Sequence, residues 1–378
     1  ARDREALTTW IDMNTPYHGD WAAIEGERAC ALEDRRAELR KRYANVDERH
    51  VNPPVPKPAA DPAVLPKTEV ETKRGRVPHL DGWPFSGAGA RQRPKHAPRT
   101  IRLSDDIALT FVYVPPGDFV MGSASGPPDE RPASVVRLAR GFWMSQTEIT
   151  NRQFALFDPS HDSRREHKQG YQFGVRGYPL NGPDQPVVRV SWLRAQAFCD
   201  WFGERSGLAA TLPTEAQWEY ACRGGANTPF WYGTADIDFS PFANVADETT
   251  REFAGDPYTE TVPIPSPPPY DDWLPKDARF DDGALVSADV GGYAANPWGL
   301  KDMHGNVAEW TRSLYRPYPY DGSDGRNGGG PESGRRVVRG GSWRDRPKRC
   351  TASYRLAYRP YQPVYNVGFR IVMVAGEL

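Results

Sequence analysis

Reactive side chains gather in the stretch RGGSWRDRPKRC, which runs from Arg339 to Cys350 and places two glycines, a serine, a tryptophan and five cationic side chains ahead of one cysteine. The thiolate is the reactive form of cysteine, and cations such as Arg344, Arg346, Lys348 and Arg349 are neighbours that lower a thiol pKa. No histidine lies close in sequence to serve as a base. The opposing expectation is a small buried side chain, since free cysteine is among the residues most often fully buried. On that balance Cys350 is expected to be structural. The other cysteines, Cys30, Cys199 and Cys222, make no CxxC or CxxCH with it or with each other. A zinc ribbon and a covalently attached haem are therefore unsupported. The seven histidines, His18, His50, His79, His96, His161, His167 and His304, form no HxxxH or HxH pair. His161 and His167 sit in the polar loop DPSHDSRREHKQG and are expected to be solvated, whereas His304 is expected to pack or hydrogen-bond locally.

These residues need a frame, and the frame is legible in pieces. IALTFVYVPPGDFVMGS reads as strand, Pro-Pro-Gly-Asp turn and strand. Thr150 and Gln153 predict a capping box that opens a short helix. SWLRAQAFCDWFGERSG predicts a helix that starts at Ser191, buries Trp192, Ala195, Phe198 and Phe202 on one face, and stops at Gly207. Thr214 and Gln217 form a second capping box, with Trp218 and Ala221 facing inward. Residues 227–300 show many turns and almost no periodicity. The end of the chain, from RRVVRGGSW to NVGFRIVMV, reads as short strands joined by a long loop. Residues 1–50 are expected to contain a helix over 23–45 whose narrow stripe of Leu32, Leu39 and Tyr43 fits docking on something else. Residues 1–50 are also open to being the end of a preceding domain. The proline-rich segment 51–99, with its basic clusters, predicts an extended linker or a strap on a domain surface.

The bulk numbers set limits. A formal net charge of -1 over 378 residues gives no general attraction to nucleic acid or anionic lipid. No run approaches the ~18 apolar residues of a membrane helix. Pro 37, Gly 35 and Trp 12 together indicate a loop-rich globule whose loops are packed around a real core.

The phrases VPPGDFVMGS, TEITNRQF, PVVRVSW, AFCDWF, LPTEAQWEYACRGG, NPWGLKDMHGNVAEW, VVRGGSW and NVGFRIV, in this order and at these spacings, resemble the formylglycine-generating-enzyme family, the sulfatase-modifying factors. The resemblance covers roughly residues 103–374. It implies an α+β fold: a single compact domain over 100–378, related to C-type lectins, with little regular secondary structure. The family includes true cysteine oxidases, iron-dependent sulfoxide synthases and silent paralogues, so membership alone does not give function.

The resemblance also implies which residues to inspect. The oxidases hold copper(I) between two cysteines five residues apart and convert a substrate cysteine to formylglycine. Here the second cysteine matches Cys350 and the first matches Asp345. Copper(I) is soft and poorly served by a carboxylate, so no copper is expected. Cys199 and Cys222 match cysteines that in some members pair late in the chain, but those partners match Ile371 and Arg355, so those two disulfides are absent. A bond between Cys199 or Cys222 and another cysteine stays open. Two calcium sites are implied, one from Asp302, Gly305, Val307 and Glu309, the other from Asn244, Val245, Asp282 and Ala284. Calcium takes six to eight hard oxygens from carboxylates, amides and carbonyls, and here its expected role is structural.

Two function classes follow. The first is a non-catalytic, calcium-stabilised binding or assembly module, whose Tyr- and Arg-rich loops at 315–329 and 358–366 suit recognition. Its expected partner is a protein or preceding domain that docks the N-terminal segment. The phrase WIDMNTPYHGDW (10–21) resembles the end of a domain found upstream in large secreted multi-haem proteins, which implies a multi-haem cytochrome and an extracytoplasmic, periplasmic or secreted, location. The alternative is a copper- or iron-dependent oxidoreductase acting on a cysteine or thiol substrate through Cys350. A regulatory paralogue that binds a true oxidase or its substrates is a third reading.

Overall fold

The structure, a computed structural model, describes residues 41–42, 77–85, 96–166, 178–249, 276–328 and 334–374. The chain divides into two compact units, Ala1–Lys73 and Arg74–Leu378. In the first, Lys41 and Arg42 are helical, inside the helix expected at 23–45. The rest of that helix, Cys30, His18, His50, His167 and the phrase WIDMNTPYHGDW lie outside the described residues.

Among the described residues the second unit is built from short strands and three α-helices. The strands β1 (Arg99–Arg102), β2 (Ala108–Val114), β3 (Gly117–Met121), β4 (Ser134–Leu138) and β5 (Phe142–Ser145) come first. Helix α1 (Asn151–Ala155) follows, then the two-residue strands β6 (Arg165–Glu166) and β7 (Tyr178–Pro179). Helix α2 (Trp192–Ser206), β8 (Ala210–Thr211) and helix α3 (Glu215–Arg223) complete the first half. After a long irregular stretch come β9 (Ala308–Leu314), β10 (Arg336–Arg339), β11 (Leu356–Tyr358), β12 (Val367–Gly368) and β13 (Val372–Val374). One sheet runs β1-β2-β5-β13-β8, a second β11-β10-β9-β12, and β3-β4 and β6-β7 each form a two-stranded sheet. This is a mixed α+β domain with little regular structure, as the resemblance implied.

Local chemistry explains the helices. Thr150 accepts the N–H of Gln153, whose side chain returns to the Thr150 N–H, and Thr214 and Gln217 repeat the device on α3. Helix α2 starts at Ser191 and ends at Gly207, whose φ of 73° lies in the left-handed region. The four side chains expected on its inner face are buried, and Cys199 joins them. Phe154, Phe198 and Phe369 pack together there, with ring centroids 5.4–6.0 Å apart.

The proline-rich strap is packed where it is described. Trp83 is buried and meets Phe85 edge-on at 5.2 Å and Phe119 at 5.9 Å. The Phe85 N–H donates to the Gly225 carbonyl at 3.2 Å. A Cβ on Gly225 would lie 2.1 Å from the Phe85 ring, so glycine is required at that approach. The His96 ring meets Tyr113 at 4.2 Å. The packed body therefore takes in residues 77–85 and 96–99, ahead of the boundary expected at 100.

Helix α3 buries charge as well as Trp218. Glu215 and Glu219 are fully buried and face three arginines, one from the last turn of α3 itself and two from elsewhere in the fold. Arg355 donates to both Glu215 oxygens at 2.6 and 3.1 Å. Arg223 donates to Glu219 Oε1 at 2.7 and 2.9 Å. Arg339 of β10 donates to Glu219 Oε2 and to the Tyr354 carbonyl, and its Nε lies 3.6 Å from Glu215. Burial of ions costs several kcal/mol each, so the network stabilises through its completeness rather than through any single contact. Replacing Arg339 by leucine would leave Glu219 short of counter-charge and should cost about 3–5 kcal/mol in urea unfolding. A loss below about 1 kcal/mol would mean that the pair behaves as a solvated one.

Candidate functional site

Strand β10 delivers the RGGSW turn. Gly340 and Gly341 have φ of 95° and 69°, which only glycine adopts readily. A Cβ on Gly341 would lie 2.4 Å from the Cys350 sulfur, so the turn and the thiol are pressed together. Cys350 is fully buried, in an apolar cluster with Phe230, Phe239, Ala243 and Val245. Its Sγ lies 3.6 Å from the Asp345 carbonyl and 4.0 Å from that of Ser342. Burial, with the Asp345 charge second, holds the thiol well above its ordinary pKa. The cationic side chains that follow the turn do not reverse this, because Lys348 and Arg349 are exposed.

Asp345 folds back on the turn. Its Oδ2 accepts from the Ser342 N–H at 3.1 Å and the Ser342 hydroxyl at 2.8 Å. The Asn366 amide donates to the same hydroxyl at 2.8 Å, which ties the clamp to the approach of β12.

Cys222 and His304 sit behind Cys350. The His304 Nδ1 is 2.7 Å from the Cys350 carbonyl, and its Nε2 accepts from the Trp231 N–H at 3.3 Å. Burial pushes the imidazole down to about 4, so it is neutral, as expected for a packed histidine. Cys222 lies 3.5 Å from that Nε2. Cys199, Cys222 and Cys350 are all free thiols, so the pairing left open for Cys199 and Cys222 does not occur among the three.

The oxygen-rich residues fall into two neighbouring groups. In the first, Glu309 is fully engaged: Arg370 donates to both its oxygens at 2.7–2.9 Å, and Trp218 Nε1 donates at 2.7 Å. Asp302 accepts from the Gly291 N–H at 2.6 Å through Oδ2, while its Oδ1 is buried without a donor. Its charge is felt by Glu148, a buried residue of the β5–α1 connection. Glu148 accepts from Asn306 at 3.1 Å, and its Oε2 also lacks a donor. Burial raises both carboxyls, and for Glu148 the Asp302 charge adds to it. Arg370 cannot help further, because its remaining N–H groups donate to the Ser145, Gln146 and Lys301 carbonyls.

In the second group, Asp282 accepts from the Val245 and Ala284 N–H groups at 2.8 and 3.0 Å. Burial and the charge of Asp247 push it up to about 8. Asn244 donates to the Val286 carbonyl and to Asn306, and its Oδ1 is buried without a donor. Asn306 joins the two groups: its Oδ1 accepts from Asn244 and its Nδ2 donates to Glu148. Its φ of 54° and the 57° of Asp302 are left-handed, in a turn where a Cβ on Gly305 would lie 2.0 Å from the Asn244 carbonyl. Thus the structure places Asp302, Gly305 and Val307 on one turn, with Glu309 at the start of β9, and brings Asn244, Val245, Asp282 and Ala284 beside them. Among the described residues no three histidine, cysteine, aspartate or glutamate side chains converge as a metal set, so any cation here would depend on carbonyl and amide oxygens. Sequence reasoning missed Glu148, Asn306 and Asp247. Glu148 sat in the quoted phrase TEITNRQF, but nothing local shows which carboxylate it will meet.

Comparison with known proteins gives a consistent set of similarities. Residues 104–375 match the family profile described as Sulfatase-modifying factor enzyme 1-like domain. The chain is 31% identical over 334 residues to a formylglycine-generating enzyme of Streptomyces coelicolor, covering 76% of this chain and 94% of that one. It is 31% identical over 199 residues to the inactive C-alpha-formylglycine-generating enzyme 2 of Mus musculus, covering 51% and 50%. The solved structure of PvdO from Pseudomonas aeruginosa superposes with a TM-score of 0.55 at 21% identity, over 74% of this chain and 99% of that one, which is a likeness of fold.

Buried thiols should be silent in the native state. In a Cys30→Ser background, Cys199, Cys222 and Cys350 should not react with a soluble disulfide reagent until denaturant is added. Fast native labelling of Cys350, located by peptide mapping, would show that the loop opens. Gly341→Ala should lower the urea midpoint by the equivalent of about 1–3 kcal/mol, because the Cβ needs both a left-handed backbone and the space of the thiol.

Proposed function

This chain belongs to the sulfatase-modifying factor family, and from that premise we propose that it is a non-catalytic, calcium-stabilised binding or assembly module within it. The observation that carries the reading is the Ser342–Asp345 clamp. The position that matches the first thiolate of the oxidases holds a carboxylate already bonded to its own turn. The remaining thiol is buried in apolar surroundings and held protonated. A two-thiolate copper(I) site does not fit these residues, and we derive no oxidation step through one. A relative whose name carries the word inactive is in keeping with this.

A hard divalent cation does fit. Glu148, Asp302 and Glu309 place three buried carboxyls around one guanidinium, and two of their oxygens have no donor. Asp302 and Glu148, with the carbonyls of Gly305 and Val307, would hold the first ion. Glu309 would contribute only by giving up contacts to Arg370. Asn244 and Asp282, with the carbonyls of Val245 and Ala284, would hold the second. Bound calcium would neutralise the facing carboxyls and pin carbonyls of an irregular backbone.

The binding surface is drawn from the loops. Tyr361 in the 358–366 stretch is 65% exposed, unlike the buried Tyr318 of the other Tyr-rich loop. An exposed tyrosine beside arginines favours protein recognition. The C-type-lectin-like relationship suits such a role. The N-terminal segment would dock a protein partner or a preceding domain, a multi-haem cytochrome among the candidates, in an extracytoplasmic setting. No helix among the described residues is long and apolar enough to cross a membrane.

Measurements with copper and with calcium test the reading. Anaerobic copper(I) titration should reveal no stoichiometric tight site, and a cysteinyl peptide incubated with copper and dioxygen should remain a thiol. Asp345→Cys should gain copper(I) binding, because it restores two sulfurs five residues apart. Aldehyde formation by the unaltered protein would overturn the proposal. For calcium, chelation should lower the melting temperature by about 5 °C or more, and Glu148→Gln should shrink that difference. An unchanged melt in chelator would remove calcium from the proposal.

A further inference from the structure

A second site lies among residues that play no part in the Cys350 loop or the two oxygen-rich groups. Beside strand β4 and the first turn of α3 there is a cavity of about 430 Å³, within the size range of small-ligand sites. Its polar lining comes from Arg140, Thr214, Gln217, Arg312, Tyr320 and Asn327. Strand β9 sets Arg312 here. Its neighbours Thr311 and Ser313 are fully buried, and alternation turns Arg312 to the other face, where it is part-buried.

Arg312 has no hydrogen bond or ion pair from its guanidinium among the described residues, and its Nε is buried without a partner. This sets it apart from Arg223, Arg339, Arg355 and Arg370, each of which meets a glutamate. Burial pulls its pKa down, and only Tyr320 opposes the shift. A half-buried guanidinium without a counter-ion is costly, and such groups call for a ligand or ordered solvent. The rest of the lining is arranged around it. Tyr320 and Asn327 bond to each other at 2.8 and 3.1 Å, and Ser313 donates to the same amide at 2.5 Å, so the floor is rigid. Arg140 is exposed at the rim and has no ion pair among the described residues. Arg137 also lines the cavity but is spoken for by Asp118 at 3.0 Å. Asp321 is the one carboxylate in the lining, and it is turned to Ser323 at 2.6 Å. Val135, 45% exposed, and Leu138 give the cavity an apolar wall.

We propose that this cavity binds a small organic carboxylate, with the Arg312 guanidinium gripping the oxyanion, Arg140 adding charge at the rim, and Val135 and Leu138 covering a short apolar body. A planar fork of donors matches a carboxylate in two-point fashion, which a point charge does not. The carboxylate has two sources, a free acid or an acidic side chain of a partner protein. The proposal needs neither copper nor calcium, so it stands or falls separately from the reading of the Cys350 loop.

The test is calorimetric titration of the full chain with benzoate, with glutarate, with a short acidic peptide and with its amidated counterpart, alongside inorganic phosphate. Benzoate or glutarate should bind while the neutral peptide does not, and tighter binding of the acidic peptide would point to a protein source. Arg312→Gln should weaken carboxylate binding by about tenfold or more, Arg312→Lys should recover part of the loss, and Arg140→Ala should weaken it less. Far-ultraviolet dichroism and melting temperature of each variant establish that it is folded. Absence of carboxylate binding by the folded unaltered protein up to about 10 mM, binding by folded Arg312→Gln equal to that of the unaltered protein, or a preference for phosphate over every carboxylate would each overturn the proposal.

Discussion

Helix α3 has nine residues, and two of its glutamates hold three arginines that arrive from its own last turn, from β10 and from the loop after Cys350. Ion pairs with no access to water tolerate little displacement, since removing either member strands the other in a medium of low polarity. Arg339 is the member with the widest reach. It belongs to the β10 strand that enters the Gly340–Gly341 turn, so its attachment to Glu219 fixes where that turn begins. The Ser342–Asp345 clamp, the burial of Cys350 and the contact of His304 with the Cys350 carbonyl all follow downstream of that one anchor. Arg370 does the same for the other end of the chain. It joins Glu309 of β9 to carbonyls at Ser145, Gln146 and Lys301, and so holds the last strands against the β5 corner.

This way of building suits a domain with few long elements. Loops leave many backbone groups without regular partners, and guanidinium groups with five donors can satisfy several carbonyls at once. Arg355 bonds to the carbonyls of Asp129 and Arg316 as well as to Glu215. Where arginine does not reach, at Glu148, Asp302 and Asn244, oxygens are left over. The same shortage of donors thus accounts both for the rigidity of the Cys350 region and for the cation chemistry suggested next to it. At Arg312 the imbalance runs the other way: among the described residues a cation lacks its anion.

Much of the fold was legible locally. Both capping boxes, the apolar face of α2, its glycine stop and the strand–turn–strand of β2 and β3 are set by neighbours within four residues of each other, which is the range over which sequence pattern speaks directly. The oxygen-bearing residue at 345 was visible at once, as was the local packing of His304. The proline-rich strap was harder. Its composition predicts an extended path, but nothing in it shows that Trp83 finds Phe119 in the core.

What the order of residues alone determined is the identity of the groups: an α+β chain of the sulfatase-modifying factor family, a carboxylate at 345 before a single cysteine at 350, and turns rich in oxygen. What only the tertiary structure decided is which groups meet. Glu148 and Asp302 are 154 positions apart in the chain, and Glu219 and Arg339 are 120 apart. Their pairing depends on how loops close, and loop closure is set by packing over the whole domain rather than by any local propensity. The same reason separates the paired arginines from Arg312, which has no ion pair among the described residues. All are alike as letters, and only the fold shows which of them has a partner.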